Sequence, residues 1–445
     1  MLKTWLYMTL GIVGVIAALL NPLYGAVAII ESYLFTPTVF SPELLSFRFQ
    51  FNIAIAFMLG LLMHGMRSLP KVHNEGRINY LLIAYGLVGL SSTLWAVKDP
   101  DVAWRNSIDI GKTILVSLLI FRSIGDEKSF RTIIYAILVG VAHCAFMYIV
   151  GANIGWVPKK LAREFGILPD MQASVMTYYV PLFVLFSIYG RTIWTKLFSL
   201  VGLLLILDAI VNSYQRAYFV ALLVEMAFLV VILPKRIVLR LIPAMLVGVL
   251  AFVFVFSPDD YWEQMKTILD NKNDGSAQSR FAIADASMKM FADYPWGVGY
   301  RNYPQISPRY LTDRWLTDGG QRAAHNTFFT VLCELGIVGF SLLMGAVGYA
   351  LWLLRRVRKL TNMKQVTEFE AFAMSIEVGL IGWLVGGLFH SDHEVDPIYW
   401  SLALTPAIVR IQMLLRQPPP DPNLFVDGAD TLTPQQTNSV YGATS

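Results

Sequence analysis

The chain has 445 residues, of which 56% are hydrophobic and 15% are charged, and its formal net charge is +4. Soluble domains usually carry about 25% charged residues, so this composition excludes an ordinary soluble domain. The small net charge argues for membrane topology and against nucleic-acid binding. Both cysteines, Cys144 and Cys333, fall inside apolar runs, which argues against a disulfide framework and a zinc motif.

Long apolar runs recur along the chain, each near the roughly 20 residues that a helix needs to cross a bilayer. They predict an all-α polytopic membrane protein, since a β-barrel would show short alternating segments. The second run, between Pro22 and Pro37, is short and contains Glu31, so the count is 12 or 13 crossings, with 12 preferred. The predicted spans are residues 4–20, 23–36, 50–66, 78–97, 104–123, 129–150, 172–190, 193–212, 216–233, 237–257, 325–354, 369–390 and 397–415.

These spans divide the chain into four parts. N-terminal transmembrane helices occupy residues 1–257, a large polar loop follows at 258–324, and C-terminal transmembrane helices occupy 325–416. The tail, 417–445, is rich in Pro, Asp, Thr and Gln and is predicted to be disordered. Basic residues cluster in alternate connections, which the positive-inside rule assigns to the cytoplasm, so the large loop lies on the opposite, outer face.

Arginines on the outer face run against the positive-inside rule and need another reason, of which anion binding is the obvious one. Arg216 opens a span in NSYQRAYF, where it either snorkels to lipid headgroups or clamps a phosphate through bidentate bonds. In the 151–171 loop, Lys159, Lys160 and Arg163 form a basic patch that either attracts phosphate or has no ligand.

The stretch that follows Arg280 has the apolar spacing of a helix. Phe281, Ala284, Met288 and Phe291 form a stripe that would face the membrane or the bundle, which predicts an amphipathic helix at the interface. We expect Arg280 near the start of this helix, where free backbone N–H groups also favour anions. The proline of PWGVG ends the helix, and its glycines permit a tight turn.

His325 lies where the last outer residues meet the next apolar run. A lone interfacial histidine is usually structural, yet imidazole is the side chain whose pKa best suits proton transfer near neutrality. Glu334, deeper in the same run, either orients a neighbour or satisfies a polar core. The turn from Ser391 to Asp396 either binds a divalent cation, pairs with outer arginines or stays solvated; we expect no metal.

Three pieces of sequence together resemble a known signature: Arg280, the ADYPWGVGYRNY after it, and the later AHNTFFTVLCELGIVG. They resemble the O-antigen ligase and polymerase superfamily, whose pattern has an arginine, a helix, a P-x-G-x-G turn, and H-N-x-F/Y-L followed by x-E-x-G. The earlier QRAYF resembles the family's S-R-x element. The resemblance covers roughly residues 200–390, and Asp170-Met171-Gln172 departs from the Asp-Pro-Asn-like turn of many relatives.

The resemblance implies a GT-C-like bundle in the bacterial inner membrane, with a periplasmic cavity and one large periplasmic loop. It implies an O-antigen ligase of lipopolysaccharide biosynthesis, which moves a glycan from undecaprenyl pyrophosphate to a sugar hydroxyl of lipid A–core. The reaction would invert the anomeric centre and need neither metal nor cofactor. Arg216 and Arg280 would bind the pyrophosphate, and His325 would be the general base. Auxiliary candidates are Lys159, Lys160, Arg163 and Arg301.

Other functions stay open at this point. An O-antigen polymerase or a protein O-oligosaccharyltransferase would use the same lipid-linked donor. About 12 spans also fit a transporter, and a lipid-linked-oligosaccharide flippase would use intramembrane polar residues such as Asp109, Lys112, Asp208 and Glu225. Against a transporter, the sequence shows no repeated halves, and its polar residues concentrate on one face.

Overall fold

The computed structural model describes residues 2–35, 44, 47–65, 76–153, 167–212, 215–239 and 275–415, and every regular element in these ranges is helical. The longer helices are α1 (Leu2–Leu20), α2 (Pro22–Leu34), α3 (Phe49–His64), α4 (Arg77–Ser91), α5 (Pro100–Arg122), α6 (Glu127–Asn153), α7 (Ile167–Tyr189), α8 (Ile193–Asn212), α9 (Arg216–Ile232), α10 (Gly275–Asp293), α11 (Thr327–Leu360), α12 (Glu368–Gly386) and α13 (Asp396–Leu414).

All of these helices except α10 overlap the spans predicted from the apolar runs. Five stretches are long and apolar enough to cross a membrane by length and composition, and four shorter apolar helices accompany them in the described ranges. The described part of the chain is therefore all-helical, as in a polytopic membrane protein, and the number of 12 spans stays a prediction. The predicted 237–257 span (apart from its first three residues), the 258–274 part of the large loop and the tail lie outside the described residues. The five long stretches are Arg77–Trp95, Glu127–Ile149, Ile193–Ile210, Thr327–Leu360 and Glu368–Gly386.

Polar side chains fix where several helices begin. Asn21 caps α2 by accepting the Leu23 N–H at 3.0 Å, and Asp99 caps α5 through the Val102 N–H at 2.9 Å. Thr367 and its partner Glu370 form a capping box at the start of α12. Because such caps satisfy the otherwise unpaired N–H groups of a first turn, they set the helix boundaries that apolar runs alone leave vague.

One end of the bundle gathers basic connections around the buried Glu368. Its carboxylate accepts hydrogen bonds from the Tyr135 hydroxyl and from the Arg191 backbone N–H, both at 2.8 Å, and lies 3.3 Å from the Arg131 guanidinium. The connections α5–α6, α7–α8 and α11–α12 therefore meet at this end. The starts of α9 and α11 and the turn between α12 and α13 consequently lie at the opposite end.

Helix α11 breaks at Gly336, whose φ of 64° and ψ of −169° are non-helical. The PWGVG turn docks into this break: Val298 N–H donates to the Cys333 carbonyl at 2.8 Å, and Gly299 N–H donates to the Glu334 carbonyl at 3.0 Å. A Cβ at Gly336 would lie 2.4 Å from the carbonyl carbon of Trp296. The glycines of the P-x-G-x-G and E-x-G sequences thus serve one contact, a close approach of two backbones.

Helix α10 packs on this junction through Ile283, Ala286 and Met290. Of the predicted stripe, Phe281 and Met288 are 78% and 51% exposed, whereas Phe291 packs against the same cluster. The bundle alternative for the stripe therefore fails for Phe281 and Met288 and holds for Phe291. The helix also begins at Gly275, so the expectation that Arg280 lies near its start is wrong too. The polar sequence GSAQS forms the first turn, which places the backbone N–H of Arg280 inside the helical ladder.

Candidate active site

The start of α11 lies against a turn that is distant from it in sequence. We call residues 387–395, which join α12 to α13, the C-terminal turn. Thr327 N–H donates to the Gly387 carbonyl at 2.7 Å, and the Thr327 hydroxyl donates to the His390 carbonyl at 2.8 Å. The Asn326 side-chain amide donates to the Leu388 carbonyl at 3.0 Å. These bonds hold the residues just after His325 directly against the C-terminal turn.

His325 immediately precedes the cap of α11. Asn326 is that cap, because its side chain accepts the Phe329 N–H at 3.0 Å. His325 itself has a φ of 46°, a left-handed conformation that is uncommon for a residue other than glycine. This backbone turns the chain sharply from the outer segment into the helix, and it leaves the imidazole exposed at the helix mouth.

The charges of two guanidinium groups lower the pKa of His325. Partial burial, then the charge of Arg322, then that of Arg280, lower the pKa of its imidazole below the ordinary 6.5. The Arg280 guanidinium lies 5.1 Å from the centre of the Phe389 ring, which belongs to the C-terminal turn. Arg322 is tied to α10, since its guanidinium donates to the Ser279 hydroxyl at 3.4 Å. The site therefore carries concentrated positive charge beside a neutral imidazole.

A second histidine of the C-terminal turn belongs to the same cluster. Burial, then His325, then Arg280, lower the pKa of His390 to about 4. Its ring stacks on Tyr218 with centroids 5.0 Å apart and planes 20° from parallel. The Tyr218 hydroxyl in turn donates to Asp392 at 3.1 Å. His390 and Asp392 thus connect α9 to the residues around His325.

Glu394 of the C-terminal turn and Asp396, the first residue of α13, each have a protein partner. Glu394 pairs with the Arg301 guanidinium and accepts the Tyr300 hydroxyl at 3.1 Å. Asp396 accepts the Thr113 hydroxyl at 2.6 Å. The prediction that this turn pairs with outer arginines is therefore confirmed for Glu394. In the ranges that the structure describes, no group of three His, Cys, Asp or Glu side chains is arranged to hold a metal ion.

Glu334 supports the outer turn rather than reaching His325. Its carboxylate accepts the Tyr303 backbone N–H at 3.4 Å, and its own carbonyl accepts the Gly299 N–H. The residue is 1% exposed. Of the two roles left open by the sequence, the structure favours holding neighbouring backbone in place, and the segment that Glu334 holds includes Arg301.

The structure brings only part of the predicted site together. The charge of Arg280 acts on His325, whereas Arg301 is paired with Glu394. Arg216 is placed by its backbone, as the first residue of α9 and two residues before Tyr218, so it opens a helix, and its opening of a membrane span stays a prediction. The basic-patch residues Lys159, Lys160 and Arg163 lie outside the described residues.

Sequence reasoning missed Arg322 and His390. The signal for Arg322 was present, because a cation three residues before a helix-mouth histidine falls within reach of it. His390 carried no such signal, since its approach to His325 depends on how α11 and α12 pack. Two guanidinium groups beside two neutral imidazoles can bind a diphosphate and accept a proton from a hydroxyl.

Comparison with known families points to the same part of the chain. Residues 201–344 match a family model described as O-Antigen ligase, and this segment contains Arg216, Arg280, Arg322 and His325. No curated protein matches the chain. The chain is therefore similar, over this segment, to the O-antigen ligase family.

Proposed function

We propose that the protein is an O-antigen ligase of lipopolysaccharide biosynthesis. It transfers a glycan from undecaprenyl pyrophosphate to a sugar hydroxyl of lipid A–core at the periplasmic face of the bacterial inner membrane. The observation that carries the proposal is His325 beside Arg280 and Arg322 within the family-matched segment. Periplasmic placement of the 258–324 loop and cytoplasmic placement of the tail belong to the same proposal.

The leaving group explains the arginines. As the bond between the anomeric carbon and the phosphate oxygen breaks, its electron pair leaves with the lipid pyrophosphate, which gains negative charge. Preorganised cations aimed at that charge stabilise the transition state more than the ground state. We assign this role to Arg280 and Arg216, and we add Arg322. Guanidinium groups supply the positive charge that the leaving group requires, so the proposed reaction is metal-independent.

The acceptor hydroxyl explains His325. Its oxygen attacks the anomeric carbon opposite the leaving group, which inverts that centre, and its proton passes to the imidazole. A general base must be neutral before it acts, and burial together with Arg322 and Arg280 keeps the pKa of His325 low enough for that at neutral pH. The exposed position of the ring leaves room for an acceptor sugar.

Polymerase and protein-glycosylating activities would share this donor chemistry and differ in the acceptor. The transporter alternative receives less support from the residues that suggested it. Asp109 and Lys112 pair with each other at 2.8 Å, and their side chains are 71% and 58% exposed, so they line no buried path. Glu225 is fully buried, and a Cβ at Gly382 would lie 1.8 Å from its carboxylate.

A transfer assay tests the proposal. Purified protein receives lipid-linked O-antigen and lipid A–core, with and without EDTA, and products are separated on a gel. We expect a glycan ladder on the core that survives EDTA. His325→Ala should lower the rate by roughly 10²–10⁴-fold, because general base catalysis contributes about that much.

Matched variants control for loss of structure. Arg280→Ala should abolish most transfer, whereas Arg314→Ala should not. Arg314 is also an outer arginine over an aromatic ring, 4.6 Å from the centre of Trp315, but it does not act on His325. Elongation of the donor without transfer to core would replace the ligase with a polymerase. Movement of the donor across liposomes without any chemistry would replace the enzyme with a transporter.

A further inference from the structure

We propose that His390 contacts the diphosphate of the donor, together with Arg280, as a second functional imidazole of the site. This role presupposes the proposed transferase activity and deepens it. His390 lies beyond residue 344, outside the family-matched segment, so the match assigns it nothing. We infer the role of His390 from the way the C-terminal turn holds its imidazole ring.

The orientation of the His390 ring is fixed from one face. Tyr218 stacks against it at 5.0 Å, and the Tyr218 hydroxyl is itself held by both carboxylate oxygens of Asp392, at 3.1 and 3.3 Å. The backbone is fixed as well, because the His390 carbonyl accepts the Thr327 hydroxyl. A histidine held on its face and backbone presents its ring edge, where both nitrogens lie, in a set direction.

The same turn supports Arg280. Phe389 lies under the Arg280 guanidinium, and the next residue in the chain is His390. His325 reaches the same turn, because Thr327, two residues after it, donates its hydroxyl to the His390 carbonyl at 2.8 Å. The ring nitrogens of His390 form no hydrogen bond with any described residue, so they remain available to a ligand that enters between these groups.

Phosphate oxygens are the ligand chemistry that fits. A third cation would be repelled by Arg280 and Arg322, whereas an imidazole with a pKa of about 4 is neutral near neutrality and offers an N–H without added charge. A hydrogen bond from such an N–H to a charged phosphate oxygen is stronger than one between neutral groups. His390 therefore adds direction to a site whose charge comes from arginines.

Binding of inorganic pyrophosphate to the purified full-length protein, measured by calorimetry, tests this role. His390→Phe keeps a ring to stack on Tyr218 but has no N–H, and we expect about tenfold weaker binding. His390→Gln loses the ring but keeps an N–H, and we expect it to bind within about threefold of wild type. If stacking alone matters, the order reverses, and the inference is wrong.

His393→Phe is the matched control from the same turn. The His393 ring is buried, and neither ring nitrogen has a hydrogen-bond partner among the described residues, so phenylalanine removes no bond. It should bind pyrophosphate like wild type. Arg280→Ala separates the proposed function from the role of His390: if it weakens binding and His390→Phe does not, the proposed function survives and the role of His390 fails. If wild type binds no pyrophosphate, both fail.

A variant-independent measurement covers the case in which a His390 variant does not fold. In wild-type protein labelled with ¹⁵N-histidine, pyrophosphate should shift the ring nitrogen signals of His390 and leave those of His393 in place. Each signal is assigned by its loss in the corresponding folded variant or by relaxation from a spin label near the C-terminal turn. An unchanged His390 signal at saturating pyrophosphate would overturn the inference.

Discussion

Replacing Gly336 with alanine should disrupt the junction that positions the start of α11. The backbone of Gly336 lies in a region of φ and ψ that is essentially restricted to glycine, and other residues there cost about 1–3 kcal/mol. A Cβ would also meet three backbone atoms of Pro295 and Trp296 at 2.4 to 2.6 Å, and such overpacking costs about 1–3 kcal/mol. Because backbone atoms cannot swing away, the two effects add to about 2–6 kcal/mol.

The loss of unfolding free energy is measured by titrating the protein with a denaturing detergent and monitoring its helix content by circular dichroism. Gly345→Ala is the control, since Gly345 lies in the same helix and an added methyl group there would have no atom within 4 Å. Alanine is the better helix former by roughly 0.5–1 kcal/mol, so this control should be neutral or stabilising.

The same Gly336→Ala variant should lower transfer because the first part of α11 holds His325 against the C-terminal turn. Val298 and Gly299 bond to the carbonyls of Cys333 and Glu334 only if the two backbones approach closely. The reasoning would be refuted if Gly336→Ala had the same free energy of unfolding and the same transfer rate as Gly345→Ala. The docking of the PWGVG turn into the break would then have no energetic importance.

Three further predictions concern charge. Burial, then Arg322, then Arg280, lower the pKa of His325, so transfer is lost as pH falls through that lowered value. Arg322→Ala should raise this pKa and move the acid limb of kcat to higher pH. Arg314→Ala should leave the acid limb in place. An acid limb that stays fixed in Arg322→Ala would argue against His325 as the base. Arg301 is paired with Glu394 and partly exposed, so Glu394→Gln should cost at most about 1 kcal/mol of unfolding free energy. Arg301→Gln should leave the donor KM within about threefold, and a rise like that of Arg280→Ala would restore Arg301 as a diphosphate ligand.

The helices were predictable because apolar length and caps are local properties. Asn21-Pro22 and Asp99-Pro100 each mark a helix start in sequence, and both start helices in the structure. The break at Gly336 was not predictable, because a glycine inside an apolar run ordinarily reads as a tolerated residue. Its meaning depends on Gly297, which is distant in sequence and contacts it only after folding.

The candidate site was predictable only where one segment carries its own signal. His325 and Arg280 stand out by residue type at the edge of an apolar run, whereas the membership of His390 depends on Tyr218 and Thr327 from two other helices. The start of α10 was misplaced because polar residues such as those of GSAQS favour loops locally. These residues are helical because they extend a helix whose Ile283 and Ala286 pack against the junction. Local helix propensity does not reveal such packing.

The measurement that tests the central claim most directly is analysis of the product bond. Wild-type protein, lipid-linked O-antigen and lipid A–core are incubated together, and the product is examined by mass spectrometry and by NMR of the new glycosidic linkage. We expect a glycan on a core sugar with its anomeric configuration inverted relative to the donor, and far less of this product from His325→Ala in the same time. A retained configuration, or an equal yield from His325→Ala, would contradict direct attack assisted by this histidine.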